Sequence, residues 1–387
     1  MSRPLHLSSA AAATALALAL PASPALALED SVTIGTWLNY TLPEDHNTGG
    51  NADYEALILY MNHEADDWYF DGEARFGSGS FQTFSGNVGE DPQSAIGIKQ
   101  LAVGTSLGEH WAMEFGKTRV PFTRSRMNFW PGERMTSGFG DQRNLGVKLM
   151  GNNPDSPLDM NFMFVKNQNF GSDTTSLDDG TLGQWGSNDT YNKVNTLVAD
   201  FGFRITPERR IGLSVQSGQL ANQAGSGGAD AGDKDHLAYG EETVGHTAVG
   251  LYSQCRNGPF ETGFQFVSYD QEHFDAGDMQ SGTDDNGDAV YDGKFNTRGT
   301  GQAFSIAAAW AEGEQWRPYF DLSMRMPDSD LDQDDTTDLV LGARYNYGPG
   351  WFYFETLTQN LTEEEAPVAG TSEETDTTLM LTMDYYF

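Results

Sequence analysis

Apolar and polar residues alternate along much of the chain. Near its end, Leu379, Leu381, Met383, Tyr385 and Phe387 fall on one face of an extended segment, with Thr378, Thr382 and Asp384 on the other. Val32, Ile34, Leu38 and Tyr40 share a face near the start. Leu158, Met160, Phe162 and Phe164 oppose Asp159 and Asn161, and Trp316, Phe320, Leu322 and Met324 oppose Arg317, Asp321, Ser323 and Arg325. Period two is that of a β-strand with two chemically different faces. The pattern predicts strands over Val32–Tyr40, Asp53–Met61, Asp67–Gly77, Ala95–Leu107, His110–Arg119, Gln142–Met150, Leu158–Lys166, Tyr191–Ile205, Glu208–Gly218, Thr243–Gln254, Pro259–Tyr269, Gly301–Trp310, Gln315–Met326, Thr337–Tyr347, Trp351–Gln359 and Thr377–Phe387. The phase is ambiguous in Asp53–Met61 and Ala95–Leu107. These roughly 16 segments each approach the ~9–11 residues that cross a bilayer at a tilt.

Alternation alone would also serve a soluble sheet with one wet face, such as a secreted acidic β-sandwich that binds glycans. The connections separate the two. Short ones (Ser106–Glu109, Gly151–Ser156, Thr206–Pro207, Arg256–Gly258, Ala311–Glu314, Gly348–Gly350) alternate with long ones (Thr41–Asn51, Ser78–Ser94, Val120–Asp141, Asn167–Thr190, Gln219–Glu242, Glu272–Thr300, Asn360–Asp376). Short periplasmic turns and long extracellular loops mark an outer-membrane barrel. The fold class expected is therefore all-β: a transmembrane antiparallel β-barrel of roughly 16 strands.

Two stretches stand apart from the barrel pattern. Arg3, the uncharged apolar run Ala10–Leu20, the break at Pro21–Pro24 and the small-x-small Ala25-Leu26-Ala27 read as a signal peptide over residues 1–27, leaving 28–387 as the barrel. No later apolar run is long enough for a transmembrane helix, so any membrane crossing has to be made by strands. Thr283–Gly293 carries Asp284, Asn286, Asp288 and Asp292, but Ala289 and Phe295 stand where a Ca²⁺ loop needs Gly and Glu, so no metal ligand is assigned.

Charge and composition narrow the function. Lys plus Arg number 22 against 56 Asp plus Glu, a net charge of −34, which excludes nucleic acid as a partner. Most of the acid lies in the long loops, as in Glu272–Thr300 and Glu363–Glu374. The single cysteine, Cys255, excludes an intrachain disulfide and cysteine-based zinc sites. No G-x-S-x-G elbow or H-E-x-x-H is present and the histidines are scattered, so no catalytic residue and no cofactor are expected. A barrel enzyme whose site assembles from distant strands stays as an alternative. One region departs from the acidic balance. Between residues 114 and 148, Lys117, Arg119, Arg124, Arg126, Arg134, Arg143 and Lys148 face only Glu114, Glu133 and Asp141. Lys117 and Arg119 share parity with Trp111, Met113 and Phe115 and would point outward.

The full mature chain resembles the Gram-negative outer-membrane porins. The alternating strand that ends in Phe387 is similar to that family's recognition signal for the barrel-assembly machinery, which would read Tyr385 and Phe387. Phe115-Gly116-Lys117-Thr118-Arg119-Val120-Pro121-Phe122 is similar to the strand entering the third long loop of the phosphate-selective type. That resemblance implies that Val120–Asp141 folds into the lumen, with Phe122, Phe129 and Trp130 against the inner wall. Arg124, Arg126, Arg134, Glu133 and Lys148 are then the candidate constriction, and a basic ring would favour anions. Arg204, Arg210, Arg317, Arg325 and Arg344 fall at inward parity, interleaved with Asp71, Glu73, Asp200, Asp321 and Asp338, a mixed lumen that departs from a dedicated phosphate ladder. Trp37, Trp68, Trp111, Tyr319, Tyr345, Tyr347, Trp351, Phe352 and Tyr385 are girdle candidates. The function expected is passive diffusion of small hydrophilic solutes and ions across the outer membrane. The alternative within that class is a channel preferring phosphate, other anions or carbohydrate. Expected partners are outer-membrane lipid and lipopolysaccharide, the assembly machinery, the solutes, and further copies of the chain in a homotrimer.

Overall fold

The computed structural model describes residues 31–43, 50–76, 96–123, 142–151, 153–167, 191–222, 243–271, 282–283, 289–290, 300–311, 313, 315–327, 335–359 and 376–386. Its strands are β1 (Ser31–Pro43), β2 (Asn51–Ala65), β3 (Trp68–Phe76), β4 (Ile96–Leu107), β5 (Trp111–Arg119), β6 (Arg143–Gly151), β7 (Leu158–Asn167), β8 (Tyr191–Thr206), β9 (Arg209–Asn222), β10 (Thr243–Asn257), β11 (Phe260–Gln271), β12 (Gly282–Thr283), β13 (Ala289–Val290), β14 (Gly301–Trp310), β15 (Trp316–Pro327), β16 (Thr336–Asn346), β17 (Trp351–Gln359) and β18 (Asp376–Tyr386). Sixteen of them form one closed antiparallel barrel in chain order. β12 and β13 pair only with each other, and β1 pairs with β18 to complete the ring. Closure leaves no edge of these sixteen strands unpaired, which is the requirement a sheet must meet in hydrocarbon.

The strand pattern follows the sequence closely, with one instructive departure. β2 runs to Ala65, four residues beyond Met61, and turns at Asp66, whose φ is 50°. Its last residues, Asn62, His63, Glu64 and Ala65, are mostly polar, yet they pair in register with Asp71, Phe70, Tyr69 and Trp68. A ladder of backbone hydrogen bonds does not need side-chain contrast, so polarity marks where a strand leaves hydrocarbon and not where it ends.

The register fixes the two faces. Val32, Leu197 and Phe115 are 69%, 65% and 63% exposed on the outside. Phe162, Phe164, Leu213, Leu251, Phe264, Phe320, Leu341 and Phe354 join them in a continuous apolar belt. A monomeric soluble surface does not carry a patch of that extent. Aromatic rings cluster where the belt meets the short turns. Phe260 packs edge-on against Trp310 at 4.5 Å, and tilted pairs form between Trp316 and Tyr345 at 4.7 Å and between Tyr347 and Phe352 at 4.9 Å. Three girdle candidates face the other way. The register sets Trp37 opposite Asp384, Tyr319 opposite Ala309 and Trp351 opposite Asn346, all at inward positions. Tyr319 and Trp351 are buried there. Their place near strand ends was the same as that of true girdle residues; only the pleat separates them.

Candidate functional site: the lumen and the stem after β5

β5 does not run straight. Thr118 Oγ1 donates to Glu114 Oε2 at 2.6 Å although four residues separate them on one strand. At ~3.3 Å rise per residue a regular strand holds such positions too far apart for these short side chains. The bend is at Gly116, whose φ is 133°, and a Cβ placed there would lie 2.2 Å from the carbonyl oxygen of Leu101. Only glycine meets both demands. Lys148 on β6 closes the kinked turn, with Nζ 2.5 Å from Glu114 Oε2 and 2.8 Å from Thr118 Oγ1.

Past the bend the chain leaves the wall. Val120 N–H donates to the Gln142 carbonyl at 2.9 Å, and Gln142 Oε1 accepts from Lys193 Nζ at 2.5 Å. Val120 and Phe122 are buried in one cluster with Met163, Val165, Val198, Ala248, Val267, Tyr269 and Ala303. All seven partners sit at inward positions of β7, β8, β10, β11 and β14. The Thr123 amide donates to Ser214 Oγ at 2.9 Å. Ser214 donates on to Asp200 Oδ1 at 2.8 Å, and Asp200 Oδ2 also accepts from Asn161 Nδ2 and Tyr252 Oη at 3.3 Å each. Gly250 makes room, since a Cβ there would lie 2.4 Å from Thr123 Cγ2. Residues 120–123 are thus a stem that lies inside the barrel against an apolar bed. Burying Phe122 contributes on the order of 2–3 kcal/mol by transfer alone.

Inward tyrosines follow a repeated plan. Tyr69 reaches across Gly104 of β4 to Glu114 on β5 at 2.8 Å. Tyr252 crosses Gly212 of β9 to Asp200 on β8, and Tyr319 crosses Gly342 of β16 to Glu355 on β17 at 2.5 Å. Each ring lies flat over a glycine and its hydroxyl ends on a carboxylate two strands away. A ring held flat takes little of the bore and covers the bare glycine backbone.

Arginines gather at the end of the lumen that carries the short turns. Arg204 and Arg210, opposite each other on β8 and β9, share Asp159 at 3.4 and 3.0 Å. Arg317 and Arg344 are likewise opposite on β15 and β16. Arg317 binds Glu261, which also lies 3.7 Å from Arg256 Nε, and Arg344 stacks on Trp351 with Cζ 4.5 Å from the ring centroid.

The inward parity expected for Arg204, Arg210, Arg317, Arg344, Asp71, Glu73, Asp200, Asp321 and Asp338 is seen in the register, and Arg325 occupies an inward register position. Lys148 faces inward but is 5% exposed and paired with Glu114. Lys117, expected outward, is 3% exposed just beyond the bend. Arg124, Arg126, Glu133, Arg134, Phe129 and Trp130 lie outside the described residues, as do residues 1–30, Phe387 and most of Thr283–Gly293. Tyr385 is on β18 at an outward position opposite Thr36. Among the described residues no group of three or more His, Cys, Asp or Glu is placed to hold a metal ion. The sequence reading missed the apolar bed. Its trace was there, since Phe162-Met163-Phe164-Val165 is apolar on both faces, which a wall open to water on one side does not need.

No family model matches the chain, and no curated protein matches it in sequence. Solved structures do. OmpF of Salmonella typhi, in a structure with daunomycin, aligns at a TM-score of 0.57 and 9% identity over 92% of this chain and 97% of that one. The anion-selective porin from Comamonas acidovorans aligns at 0.54 and 11% identity over 93% and 100%. OmpT, an outer-membrane protein of Vibrio cholerae in a trimer form, aligns at 0.54 and 11% identity over 92% and 98%. At such identities the likeness concerns the fold, and the fold of this chain is that of the sixteen-stranded porins.

Proposed function

We propose that the chain is an outer-membrane porin, a water-filled channel for passive diffusion of small hydrophilic solutes and ions, and not an enzyme. The observation that carries this reading is the stem: Val120–Thr123 is fixed to inward positions of the wall, so the loop it begins starts inside the bore. A loop that begins there narrows a passage, and a sixteen-stranded barrel is wide enough to have one. The reading includes a signal peptide over residues 1–27, insertion through the assembly machinery that reads Tyr385 and Phe387, contact with lipid and lipopolysaccharide, and a homotrimer. Its selectivity comes from Arg124, Arg126 and Arg134 with Glu133 and Lys148 at the throat, tilted towards anions. Lys148 contributes there by holding the bend, because its charge is already matched by Glu114.

Planar-bilayer recording tests the channel and the tilt together. Wild type should give stepwise conductance and, under a KCl gradient, a reversal potential on the anion side. Replacing Arg124, Arg126 and Arg134 by Ala should lower the anion preference, more so at low salt where the Debye length is longer. Equal permeability ratios for both proteins at low salt would remove these arginines from the throat, and the absence of conductance would remove the porin. N-terminal sequencing of the outer-membrane form should begin within two residues of Leu28. Deleting Phe387 should lower the amount of heat-modifiable barrel at unchanged transcript.

A channel with a preference for anions is favoured over a neutral one by the arginines at the turn-side mouth, where Arg256 and Arg317 share Glu261 and Arg344 stands in register opposite Arg317.

A further inference from the structure

The outer face carries a hydrogen-bonded row of side chains across four strands at its loop-side rim. Lys166 Nζ on β7 donates to Asn195 Oδ1 on β8 at 2.7 Å. Asn195 Nδ2 donates to Gln219 Oε1 on β9 at 3.0 Å, and Gln219 Nε2 donates to Thr243 Oγ1 on β10 at 3.2 Å. β7 ends at Asn167 and β10 begins at Thr243, so the row lies beside the long connections. It depends on a bulge. Asn195 and Thr196 stand between Val194 and Leu197 where β9 has only Gly218 between Gln219 and Ser217. Asn195 takes the bend with a φ of 45°, a conformation asparagine tolerates better than most residues, and points outward. Thr196 turns inward and meets His246 at 2.9 Å.

The cation at one end sets the direction of every bond. An ammonium can only donate, so Asn195 presents its carbonyl to Lys166 and its NH2 to Gln219, and Gln219 repeats this towards Thr243. Each amide thus has its carbonyl engaged and one N–H free. Thr243 keeps its hydroxyl proton and Lys166 its remaining ammonium protons. None of the four has a carboxylate partner among the described residues, in a chain of net charge −34. On the turn side of the row the outer face is apolar, with Phe164, Leu197, Val215 and Val249 all exposed. Donors above an apolar strip make an amphiphilic surface at the border of the belt.

We propose that this row and the strip beneath it dock one phosphorylated glycolipid of the outer leaflet, a lipopolysaccharide molecule, with a phosphate at Lys166, sugar oxygens along Asn195, Gln219 and Thr243, and acyl chain on Phe164, Leu197, Val215 and Val249. The two partners complement each other: phosphates and sugars are rich in acceptor oxygens, and the row is rich in free donors. Four neighbouring strands at ~4.8 Å spacing give it a width of about 14 Å, room for more than one sugar ring. A free phosphate would use Lys166 and leave the apolar strip bare. An amphiphile uses both. The surface rests on the porin reading for its setting, because only a barrel with its long loops outward brings this rim to the outer leaflet.

The test uses the folded full-length barrel in detergent and purified, fluorescently labelled lipopolysaccharide. Wild type should bind it saturably and retain it through gel filtration. Lys166→Met should weaken binding by about five-fold, the contribution of one Lys at an anionic lipid surface. Gln219→Leu, which cuts the row and leaves the cation, should weaken it by a smaller factor. Equal affinity in wild type and Lys166→Met overturns the surface. So does phosphatidylglycerol that binds as tightly as the glycolipid, or displacement of the glycolipid by millimolar inorganic phosphate, which would make this a free-anion site. A Lys166→Met barrel that loses its oligomer but keeps its glycolipid would make the face a contact between copies and likewise overturn the docking. Should Lys166→Met give no heat-modifiable barrel, Gln219→Leu decides, and unchanged affinity there overturns the surface. The binding needs no conduction. A barrel that holds glycolipid through Lys166 but conducts nothing sinks the porin and leaves the surface, and a conducting barrel that retains no glycolipid does the reverse.

Discussion

Two sectors of the inner wall are built on different principles. Along β3 to β6 the lumen side is polar: Tyr69, Asp71, Gln100, Glu114, Thr118 and Lys148 form hydrogen bonds and one ion pair among themselves. Along β7 to β14 it is apolar in its loop-side part, and Val120 and Phe122 cover it. The polar sector satisfies itself through charge and can stand beside water. The apolar bed within the second sector has nothing to offer water and is complete only with the stem in place. The inner face of this barrel is therefore not one surface with one solvent, and the position of the stem is dictated by which sector needs covering.

The largest effect should come from disturbing the polar sector. Lys148→Met leaves Glu114 buried without its cation, which costs about 3–5 kcal/mol. Urea titration of the detergent-folded barrel should show this loss, and Glu114→Gln combined with Lys148→Met should recover most of it. If the double variant is no better than the single, the pair is not what stabilises the bend. Phe122→Ala strips the cover from the apolar bed and should release about 3–5 kcal/mol of stem packing. The barrel should survive, because its ladder is untouched, and single-channel conductance should rise with larger fluctuations. A conductance and noise level equal to wild type would mean the stem stays seated without its anchor. Gly250→Val attacks the same contact from the wall side and should also raise conductance, with a smaller change in stability. Tyr252→Phe is the mildest. It removes one hydrogen bond to Asp200, worth roughly 0.5–1.5 kcal/mol, while the ring still covers Gly212. Gly212→Ala, which collides with that ring, should cost more than Tyr252→Phe; the reverse order would show that the hydroxyl and not the flat ring is what matters.

Much of the fold was legible in the sequence because lipid and water impose opposite demands on alternate residues. Phe162, Phe164, Leu251 and Phe320 sit where the pattern puts them. The reading was ambiguous where the inward residues are themselves apolar or small. Ile58 and Tyr60 point inward between Leu57, Leu59 and Met61, and Ala102 and Gly104 do so between Leu101, Val103 and Thr105, so neither strand shows contrast. A register shift at Glu73 and Ala74 adds a change of phase opposite β4. The site was legible in outline only. The local excess of positive charge and the Gly116–Phe122 stretch pointed to the segment that enters the bore. The bed that receives it is assembled from single residues on five strands, Met163, Val198, Ala248, Val267 and Ala303 among them, and no local pattern joins positions more than a hundred residues apart. Arg344 on Trp351 was equally hidden, since only the pleat tells that a tryptophan beside a turn looks inward.

The pairing of β1 with β18 has a consequence for how the molecule comes to exist. Gly35 is matched to Tyr386 and Leu42 to Leu379, so the seam joins the two ends of the sequence. Every other ladder links neighbours and can form early, but the seam is the most non-local contact the chain can make, and its loop-closure cost falls last. Until the final strand arrives, β1 presents a long bare edge flanked by apolar side chains, a template for aggregation. A chain of this design keeps that edge unpaired until its last strand is in place and commits to its closed shape in a single late event.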